Sequence, residues 1–426
     1  MKNSRLLLIV ALVAFTFTQC QKEMNDELVD DSLKKASLSG SYTVMVENVS
    51  VDYAYFEAGA KFIPDGKESA GPAHPGESFT FWFHAGPNHK LSFATMYGLS
   101  NDGFYAPGEG GISVYDGDFP AIDSWRDITS EIMLWDAGTQ VNQKPGSSNP
   151  HNGADENGVV KMMADVGDGY DYGTVATNLK ATLYAHGNSM FSVTIEVLGG
   201  STTAISPVAY VVHADGQTPI FEEGVADYGE GLEELAETGN AGPLSEHLEQ
   251  HSGYVSPVAP VLWVLHDKKD MPIFTEGMPD YGHGLEILAE TGTPDTLYHA
   301  LMAAGYETGF QAMRTDGTGG PLFPGQKYMF TIEGHVGQSL SIASMLGASN
   351  DIFFSTGDKG IKLDNGVAEK DLTHFIELYD AGTEVNEYPG AQTQANTVED
   401  GNVRVVDDGL PWPEASQVIK ITIKKN

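Results

Sequence analysis

Two stretches of this sequence repeat one arrangement of oxygen-bearing side chains. In each, an Asp follows an apolar segment, and a second Asp comes later with another oxygen-bearing residue four positions beyond it. The candidate ligands are Asp102, Asp136 and Gln140 in the first stretch, and Asp351, Asp380 and Glu384 in the second. Calcium takes about six to eight oxygen ligands from carboxylates, amide carbonyls, backbone and water. Each set is therefore a candidate calcium site.

The two candidate sites differ in charge. Gln140 offers a neutral carbonyl oxygen where Glu384 offers a carboxylate, so we expect the first site to bind calcium more weakly. A glycine before this residue, Gly138 or Gly382, lets the loop turn so that both oxygens face inward. Turn chemistry is the alternative, because Asn-Asp and Asp-Ala-Gly segments also form turns in which the Asx side chain accepts a backbone N–H. Both interpretations stay open at this point.

Other polar residues suggest chemistry less strongly. His247 and His251 have a spacing that can chelate zinc on one helix face, but the sequence offers no obvious third ligand. His213 and His266 each lie near an Asp, as in acid/base pairs, yet no Ser or Cys occupies a recognisable nucleophile turn. We therefore predict no catalytic residues and no enzyme activity. A calcium-dependent glycan hydrolase and a purely structural envelope protein remain the alternatives.

The overall charge limits the partners. The 426 residues include 59 Asp and Glu against 23 Lys and Arg, which gives a formal net charge of −36. A nucleic-acid surface needs clustered Lys and Arg, and the sequence has no such cluster, so we predict that no nucleic acid binds. Hydrophobic residues make up 41% of the chain, which is enough to bury a core.

The first 20 residues are typical of an export signal. Lys2 and Arg5 precede an apolar run over residues 6–17 that is too short to span a membrane, and Cys20 is the only cysteine. The segment resembles a bacterial lipoprotein signal, which implies cleavage before Cys20 and lipidation of its sulfur. Residues 21–39 are predicted to be a polar tether. We expect an exported, lipid-anchored protein of the bacterial cell envelope, at the outer membrane, and facing either the cell surface or the periplasm.

The candidate ligands belong to a long internal repeat. Three blocks recur in one order: residues 75–81 match 324–330, residues 94–104 match 343–353, and residues 135–142 match 379–386. A repeat of this kind indicates two copies of one domain. The predicted copies are residues 40–199 and 306–426.

A shorter repeat lies between the two copies. Residues 206–253 match residues 256–305, and each unit is predicted to contain a strand, a turn and a helix that ends at Gly239 or Gly292. We interpret residues 200–305 as a tandem strand-helix insert of the second domain.

The long copies are predicted to be antiparallel β-sandwiches, so the fold class is mainly β. Short runs rich in β-branched and aromatic residues are separated by Gly, Pro, Asn and Asp. The predicted strands of the two copies are residues 42–49, 78–83, 91–96, 191–197, 328–332, 340–345 and 418–423.

The repeated blocks resemble the spondin domain of bacterial and animal extracellular proteins. The resemblance rests on Ser-Asn-Asp-x-Phe, on the block aromatic-Asp-Ala-Gly-Thr-(Gln or Glu)-x-Asn, and on a PIF…GLE…LAETG segment similar to the linker of bacterial members. It implies β-sandwiches that bind calcium near one end of the sheets, with ligands at Asp351, Asp380 and Glu384 and at their counterparts in the first copy. It also implies an adhesion or binding role toward an extracellular protein or glycan.

Overall fold

The computed structural model describes residues 39–116, 120, 123–146, 148–366, 368–391 and 397–426. The predicted export signal, the predicted lipidation site Cys20 and residues 21–38 of the predicted tether lie outside the described residues. Across the described part of the chain, no helix combines the length and the apolar character needed to cross a membrane.

Short strands dominate the described residues, and the helices are few and short. The strands are β1 (Ser39–Asn48), β2 (Glu57–Lys61), β3 (Ser78–His84), β4 (His89–Met96), β5 (Gly103–Ala106), β6 (Ile112–Ser113), β7 (Trp125–Asp127), β8 (Met133–Asp136), β9 (Lys161–Met162), β10 (Leu179–Gly187), β11 (Met190–Val197), β12 (Val208–Ala214), β13 (Val261–His266), β14 (Glu307–Gln311), β15 (Lys327–His335), β16 (Ser339–Met345), β17 (Ile352–Ser355), β18 (Ile361–Lys362), β19 (Lys370–Asp371), β20 (Glu377–Asp380), β21 (Arg404–Val405) and β22 (Ile419–Lys425). The α-helices are α1 (Val175–Asn178), α2 (Leu232–Thr238), α3 (Gly242–Gln250), α4 (Leu285–Thr291), α5 (Asp295–Ala303) and α6 (Ala415–Val418). The predicted mainly β, antiparallel class is confirmed, because these strands pair antiparallel throughout.

Two sheets pack face to face in the earlier part of the chain, and we call them the first sheet pair. One has the strand order β3-β11-β10-β7, and the other has the order β2-β12-β4-β5-β8-β9, with β6 paired to β4. Alternation along β3 explains the packing, because Phe79, Phe81 and Phe83 are buried whereas Trp82 is exposed. Phe93 of β4 meets Phe81 in this core, with ring centroids 5.9 Å apart.

Helices cover the outer side of the larger sheet. Leu235 of α2 and Leu248 of α3 pack with Phe104 and Trp135 in a separate hydrophobic cluster. Strand β4 is therefore buried on both faces over most of its length. Helix α2 ends as predicted, since Gly239 follows it in the left-handed conformation with φ of 72°.

A second sheet pair repeats this arrangement. Its sheets have the orders β15-β1-β22-β19 and β14-β13-β16-β17-β20-β21, with β18 paired to β16. One cluster, which includes Tyr328, Ile342 and Ile421, lies between the sheets. Another joins Leu285 of α4 to Phe353 on the outer side. The sandwich architecture is thus present twice, while the division into independent domains stays a prediction.

The predicted tandem insert in the second domain is wrong. Strand β12, in the first unit of the short repeat, pairs with β2 and β4 and so belongs to the first sheet pair. Strand β13, in the second unit, pairs with β14 and β16 and belongs to the second sheet pair. The physical reason is that each strand-helix unit supplies an inner strand and the covering helices of its own sheet. The two units are neighbours in sequence but are divided between two cores.

The predicted first domain, residues 40–199, also assigns one strand to the wrong sheet. Strand β1 lies between β15 and β22, with Val44 opposite Phe330 on one side and Ile423 on the other. It fills the place that β11 occupies between β3 and β10 in the first sheet pair. The chain therefore begins the second sheet pair, builds the first, and then returns to complete the second.

Candidate metal centres

Sheet pairing brings the two predicted aspartates of the first copy together. Asp102 lies immediately before β5, and Asp136 ends β8. These strands are neighbours, with Gly103 paired to Asp136. Both carboxylates are fully buried. The loop that follows Asp136 returns to the same place, because the backbone N–H groups of Thr139 and Gln140 donate to Asp102.

The carboxylate of Asp102 is satisfied on one oxygen only. Its Oδ2 accepts hydrogen bonds from the N–H of Thr139 at 2.8 Å and of Gln140 at 3.0 Å, and from the Thr139 hydroxyl at 3.3 Å. Its Oδ1 is buried and has no hydrogen-bond partner among the described residues. A buried carboxylate oxygen without a partner is costly, so this atom marks a position where a cation or a proton is favoured.

Asp136 is more fully bonded. Its Oδ1 accepts from the N–H of Gly138 at 2.8 Å, which is an Asx turn, and its Oδ2 accepts from Nδ2 of Asn142. Nζ of Lys161 lies 3.9 Å from Oδ1. The turn interpretation therefore accounts for Asp136, but it leaves the free oxygen of Asp102 unexplained.

Asn142 is a ligand candidate that the sequence analysis missed. Its Nδ2 donates to Asp136, which leaves its Oδ1 buried and without a partner among the described residues. An amide oxygen is a suitable calcium ligand. The sequence does mark this residue, because Asn142 is the last residue of a repeated block and recurs as Asn386.

The second copy has the same geometry. Oδ2 of Asp351 accepts from the N–H of Thr383 at 2.8 Å and of Glu384 at 3.0 Å, and its buried Oδ1 has no partner within the described part of the chain. Oδ1 of Asp380 accepts from the N–H of Gly382 at 2.6 Å, and Oδ2 accepts from Nδ2 of Asn386 at 2.8 Å. Oδ1 of Asn386 is again left free among the residues described.

A cation side chain lies beside the second aspartate of each copy. Nη2 of Arg404 donates to Oδ2 of Asp380 at 2.7 Å, in the position where Lys161 approaches Asp136 in the first copy. Arg404 is also held by Glu399. Arg404 thus offsets part of the charge of Asp380, whereas Asp351 has no cationic partner among the described residues.

The third predicted ligand differs between the copies. Oε1 of Gln140 accepts from Nδ2 of Asn101 at 3.2 Å and from the N–H of Gly153 at 3.0 Å, and its Nε2 donates to Glu237 at 2.7 Å. Both lone pairs of the Gln140 oxygen are therefore in use. The structure brings Asp102 and Asp136 together, but the Gln140 side chain is used in hydrogen bonds to Asn101, Gly153 and Glu237.

Glu384 occupies a different environment. It lines an open cavity of about 370 Å³ together with Glu290 of α4, and Glu290 is the repeat counterpart of Glu237. Burial raises the pKa of the Glu384 carboxyl, and the charges of Glu290 and Asp351 add to this effect. The first copy therefore has an amide-carboxylate hydrogen bond at this place, and the second has two carboxyl groups.

Burial also raises the pKa values of the paired aspartates. The pKa of Asp102 rises to about 7, because the group is desolvated and Asp136 lies near. The pKa of Asp380 rises to about 6 for the same two reasons, with Asp351 as the neighbouring charge. Burial raises the pKa values of Asp136 and Asp351 as well. Each pair thus favours the uptake of positive charge.

The donor set fits calcium in kind. Each copy offers two carboxylates and one amide, with unpartnered oxygens on one Asp and on the Asn. Within the described ranges, no group of three or more His, Cys, Asp or Glu side chains is placed to hold a metal ion. Calcium bound here would use the amide oxygen of Asn142 or Asn386, and backbone or water oxygens would complete its shell.

The histidines singled out in the sequence lie elsewhere. Nε2 of His213 is 2.9 Å from the Ser92 hydroxyl, and Nε2 of His266 is 2.8 Å from the Ser341 hydroxyl. Nδ1 of each ring bonds the next residue's carbonyl oxygen, so Nδ1 carries the proton and Nε2 accepts from Ser. Burial lowers the pKa of both rings, and both are buried within their sheets.

The zinc-like spacing has a simple structural use. Nδ1 of His247 on α3 lies 2.7 Å from Oε2 of Glu230, and Nδ1 of His251 bonds the carbonyl oxygen of His247 at 2.8 Å. The two rings lie 4.4 Å apart.

Comparison with protein-family models and with curated proteins finds no match to this chain.

Proposed function

We propose that this protein is a calcium-binding lipoprotein of the bacterial cell envelope, in which two spondin-like β-sandwich domains serve an adhesion or binding role. The observation that carries the metal assignment is the pair of buried, unpartnered oxygens on Asp102 and Asn142, found again on Asp351 and Asn386. Both copies of the repeat leave these two oxygens unsatisfied, and turn formation does not account for either oxygen. Calcium would neutralise each site and hold the loop that carries the Asn.

Calorimetric calcium titration and thermal unfolding test this role. We expect calcium to raise the melting temperature of the wild type, because a ligand that prefers the folded state stabilises it. Asp102→Asn together with Asp351→Asn should abolish the rise. Asp215→Asn is the matched control, since Asp215 is largely exposed and outside both loops. A melting temperature that is indifferent to calcium would instead favour the purely structural alternative.

The lipid anchor is tested separately. The support is the apolar run over residues 6–17, followed closely by Cys20, the only cysteine in the sequence. In a bacterial expression host, the wild type should be recovered in the membrane fraction and should incorporate a labelled fatty acid. Cys20→Ser should lose the label and become soluble. Retention of the label by Cys20→Ser would contradict the assignment.

One observation favours a second candidate, a glycan-acting hydrolase. Glu290 and Glu384 line one cavity, and paired carboxyl groups are the machinery of most glycoside hydrolases. The candidate predicts release of reducing sugar from a glycan substrate, lost in Glu290→Gln. Equal rates of sugar release by the wild type and Glu290→Gln would rule out the hydrolase candidate.

A further inference from the structure

The outer face of the four-stranded sheet in the first sheet pair carries a row of aromatic residues. Strand pairing places Trp82 of β3 opposite Ser192 of β11, Ser192 opposite Tyr184 of β10, and Tyr184 opposite Trp125 of β7. Successive residues on a strand point to opposite faces, and directly paired residues point to the same face. The three rings therefore lie in one line across the sheet, on the side away from the core.

These rings are unusually exposed. Relative exposure is 49% for Trp82, 37% for Tyr184 and 61% for Trp125. His186 joins the row, because its ring stacks on Trp82 with centroids 4.3 Å apart and lies 6.5 Å from the ring of Tyr184. Nε2 of His186 and the Ser192 hydroxyl are 2.9 Å apart, which fixes the ring. We call Trp82, His186, Tyr184 and Trp125 the aromatic strip.

The strip has a defined length, and the His186 ring stacks against Trp82, so one face of the Trp82 indole is covered and the other stays open. The rings of Trp82 and His186 are inclined by 30°, and those of His186 and Tyr184 by 26°. Neighbouring strands lie about 4.8 Å apart, so the row from β3 to β7 spans about 14 Å. A row of this length matches a few sugar rings laid end to end.

The surroundings of the strip are polar but uncharged at its centre. The next row across the sheet is Thr80, Thr194 and Thr182, with a carboxylate at each end: Asp127 on β7, and Asp65, which accepts from the Thr80 hydroxyl at 2.7 Å. The charged residues Lys180 and Glu196 lie one row farther away. The centre of the strip carries no charged side chain, although the chain has a net charge of −36. Such a surface matches an uncharged ligand. Hydroxyl groups beside rings suit a polyhydroxylated ligand better than an aliphatic protein surface.

We propose that the aromatic strip binds a neutral glycan, with the C–H faces of pyranose rings stacked on Trp82, Tyr184 and Trp125. Aromatic side chains supply a large contact area at low conformational cost, and their polar edges hydrogen-bond the ligand's rim. This inference rests on the proposed binding role and names its ligand class. It assigns that ligand to a face of the first sheet pair that does not contain the candidate metal loops.

The second sheet pair lacks an equivalent row. The long repeat places Thr331 at the position of Trp82, and strand pairing sets Thr331 opposite Thr43 and Thr43 opposite Lys424. The proposed glycan site is thus specific to the first copy. Only the first copy would bind the glycan, whereas both copies carry a candidate metal site.

Affinity electrophoresis of the full mature chain tests the strip. Native gels should contain a soluble mixed-linkage glucan, a xylan or a mannan, with polygalacturonate as the anionic comparison. At least one neutral polysaccharide should retard the wild type. Trp82→Ala with Trp125→Ala should lose about tenfold or more in affinity. Phe375→Ala is the control, because Phe375 is an exposed aromatic residue of the second sheet pair and should change nothing.

Three results would overturn the proposal. The first is no retardation of the wild type by any neutral polysaccharide. The second is retardation that persists in the double variant, and the third is self-association of the wild type in sedimentation that the double variant abolishes, since a second copy would then cover the strip. Tyr184→Ala provides an independent variant if the double substitution fails to fold. Calcium-dependent melting, measured on the same samples, reports the metal sites separately.

Discussion

Gln140 and Glu237 are joined by a hydrogen bond in which Nε2 of Gln140 donates to Oε2 of Glu237 at 2.7 Å. The internal repeat replaces this pair by Glu384 and Glu290, two carboxyl groups that line one cavity. The pair ties the candidate metal loop to helix α2 in the first copy. In the second copy Glu290 of α4 hydrogen-bonds Thr383 of the corresponding loop, and the like charges of Glu290 and Glu384 oppose each other unless a proton or a cation intervenes.

Glu384→Gln should therefore stabilise the calcium-free protein at pH 7. The substitution replaces a like-charge contact by an amide-carboxylate hydrogen bond, which is worth about 1 kcal/mol. Urea unfolding in calcium-depleted buffer measures it. The reciprocal variant Gln140→Glu should lose stability by a similar amount, and a loss of stability in Glu384→Gln would contradict the comparison of the two copies.

The calcium-free protein should lose stability as the pH rises from about 4 to about 7. The pKa of Asp102 is about 7 in the folded protein, so the folded state keeps a proton that the unfolded chain releases near pH 4. A raised carboxyl pKa stabilises the fold below the unfolded pKa, and this contribution is lost toward the folded pKa. The full loss from Asp102 is about 4 kcal/mol.

Asp102→Asn isolates this effect from the general charge repulsion of an acidic chain. Unfolding free energies of the wild type and the variant, measured in urea without calcium, should coincide most closely at pH 4 and diverge toward pH 7. The variant should be the more stable protein at pH 7. A difference that does not change with pH would mean that Asp102 does not hold the proton.

Gly138→Ala should unfold the first metal loop more readily than an ordinary glycine substitution. Gly138 has φ of 71°, and an added Cβ would lie 2.6 Å from the carbonyl oxygen of Val159. We expect a loss of more than about 2 kcal/mol. Gly66→Ala is the matched control, because Gly66 has φ of 73° and open space around it, so it reports the backbone cost alone. Equal losses of unfolding free energy in the two variants, measured by urea titration, would contradict the close packing of Gly138 against Val159.

Gly86→Ala should separate the two sheet pairs. An added Cβ on Gly86 would lie 1.8 Å from the carbonyl oxygen of Ala391, in the segment where Tyr388 stacks on His84 with centroids 3.5 Å apart. We expect calorimetry to resolve two unfolding transitions in the variant. Gly71→Ala is the control, since Gly71 has no neighbour within 4 Å of an added Cβ among the described residues. A single transition at the wild-type temperature would contradict the contact.

The local structure was largely predictable from the sequence. Alternation in β3 and the apolar run in β4 identify strands, because period-two burial and full burial are local patterns. The glycine ends of α2 and α4 follow from one residue each. The sequence identifies the two aspartates of each candidate metal loop because the repeat preserves them.

The partners of each strand were not predictable in the same way. The pattern of β1 indicates a strand but does not say whether β3 or β15 lies beside it, since hydrogen bonding between strands depends on distant residues. Asn142 is a ligand candidate because its Oδ1 receives no hydrogen bond among the described residues. Gln140 is held by Glu237, which lies far from it in the sequence. Only the assembled structure shows such relationships.

The place of β1 between β15 and β22 sets an order of assembly. During synthesis β1 emerges before the whole first sheet pair, yet its two neighbours emerge after it, and β22 comes last. Strand β1 has two unpaired edges until β15 emerges and one until β22 emerges, and unpaired edges promote aggregation. Contacts this distant in sequence form slowly. The first sheet pair can form while the chain is still growing, whereas the second also needs β22. Truncations that remove β22 should therefore destabilise the second sheet pair and leave the first folded.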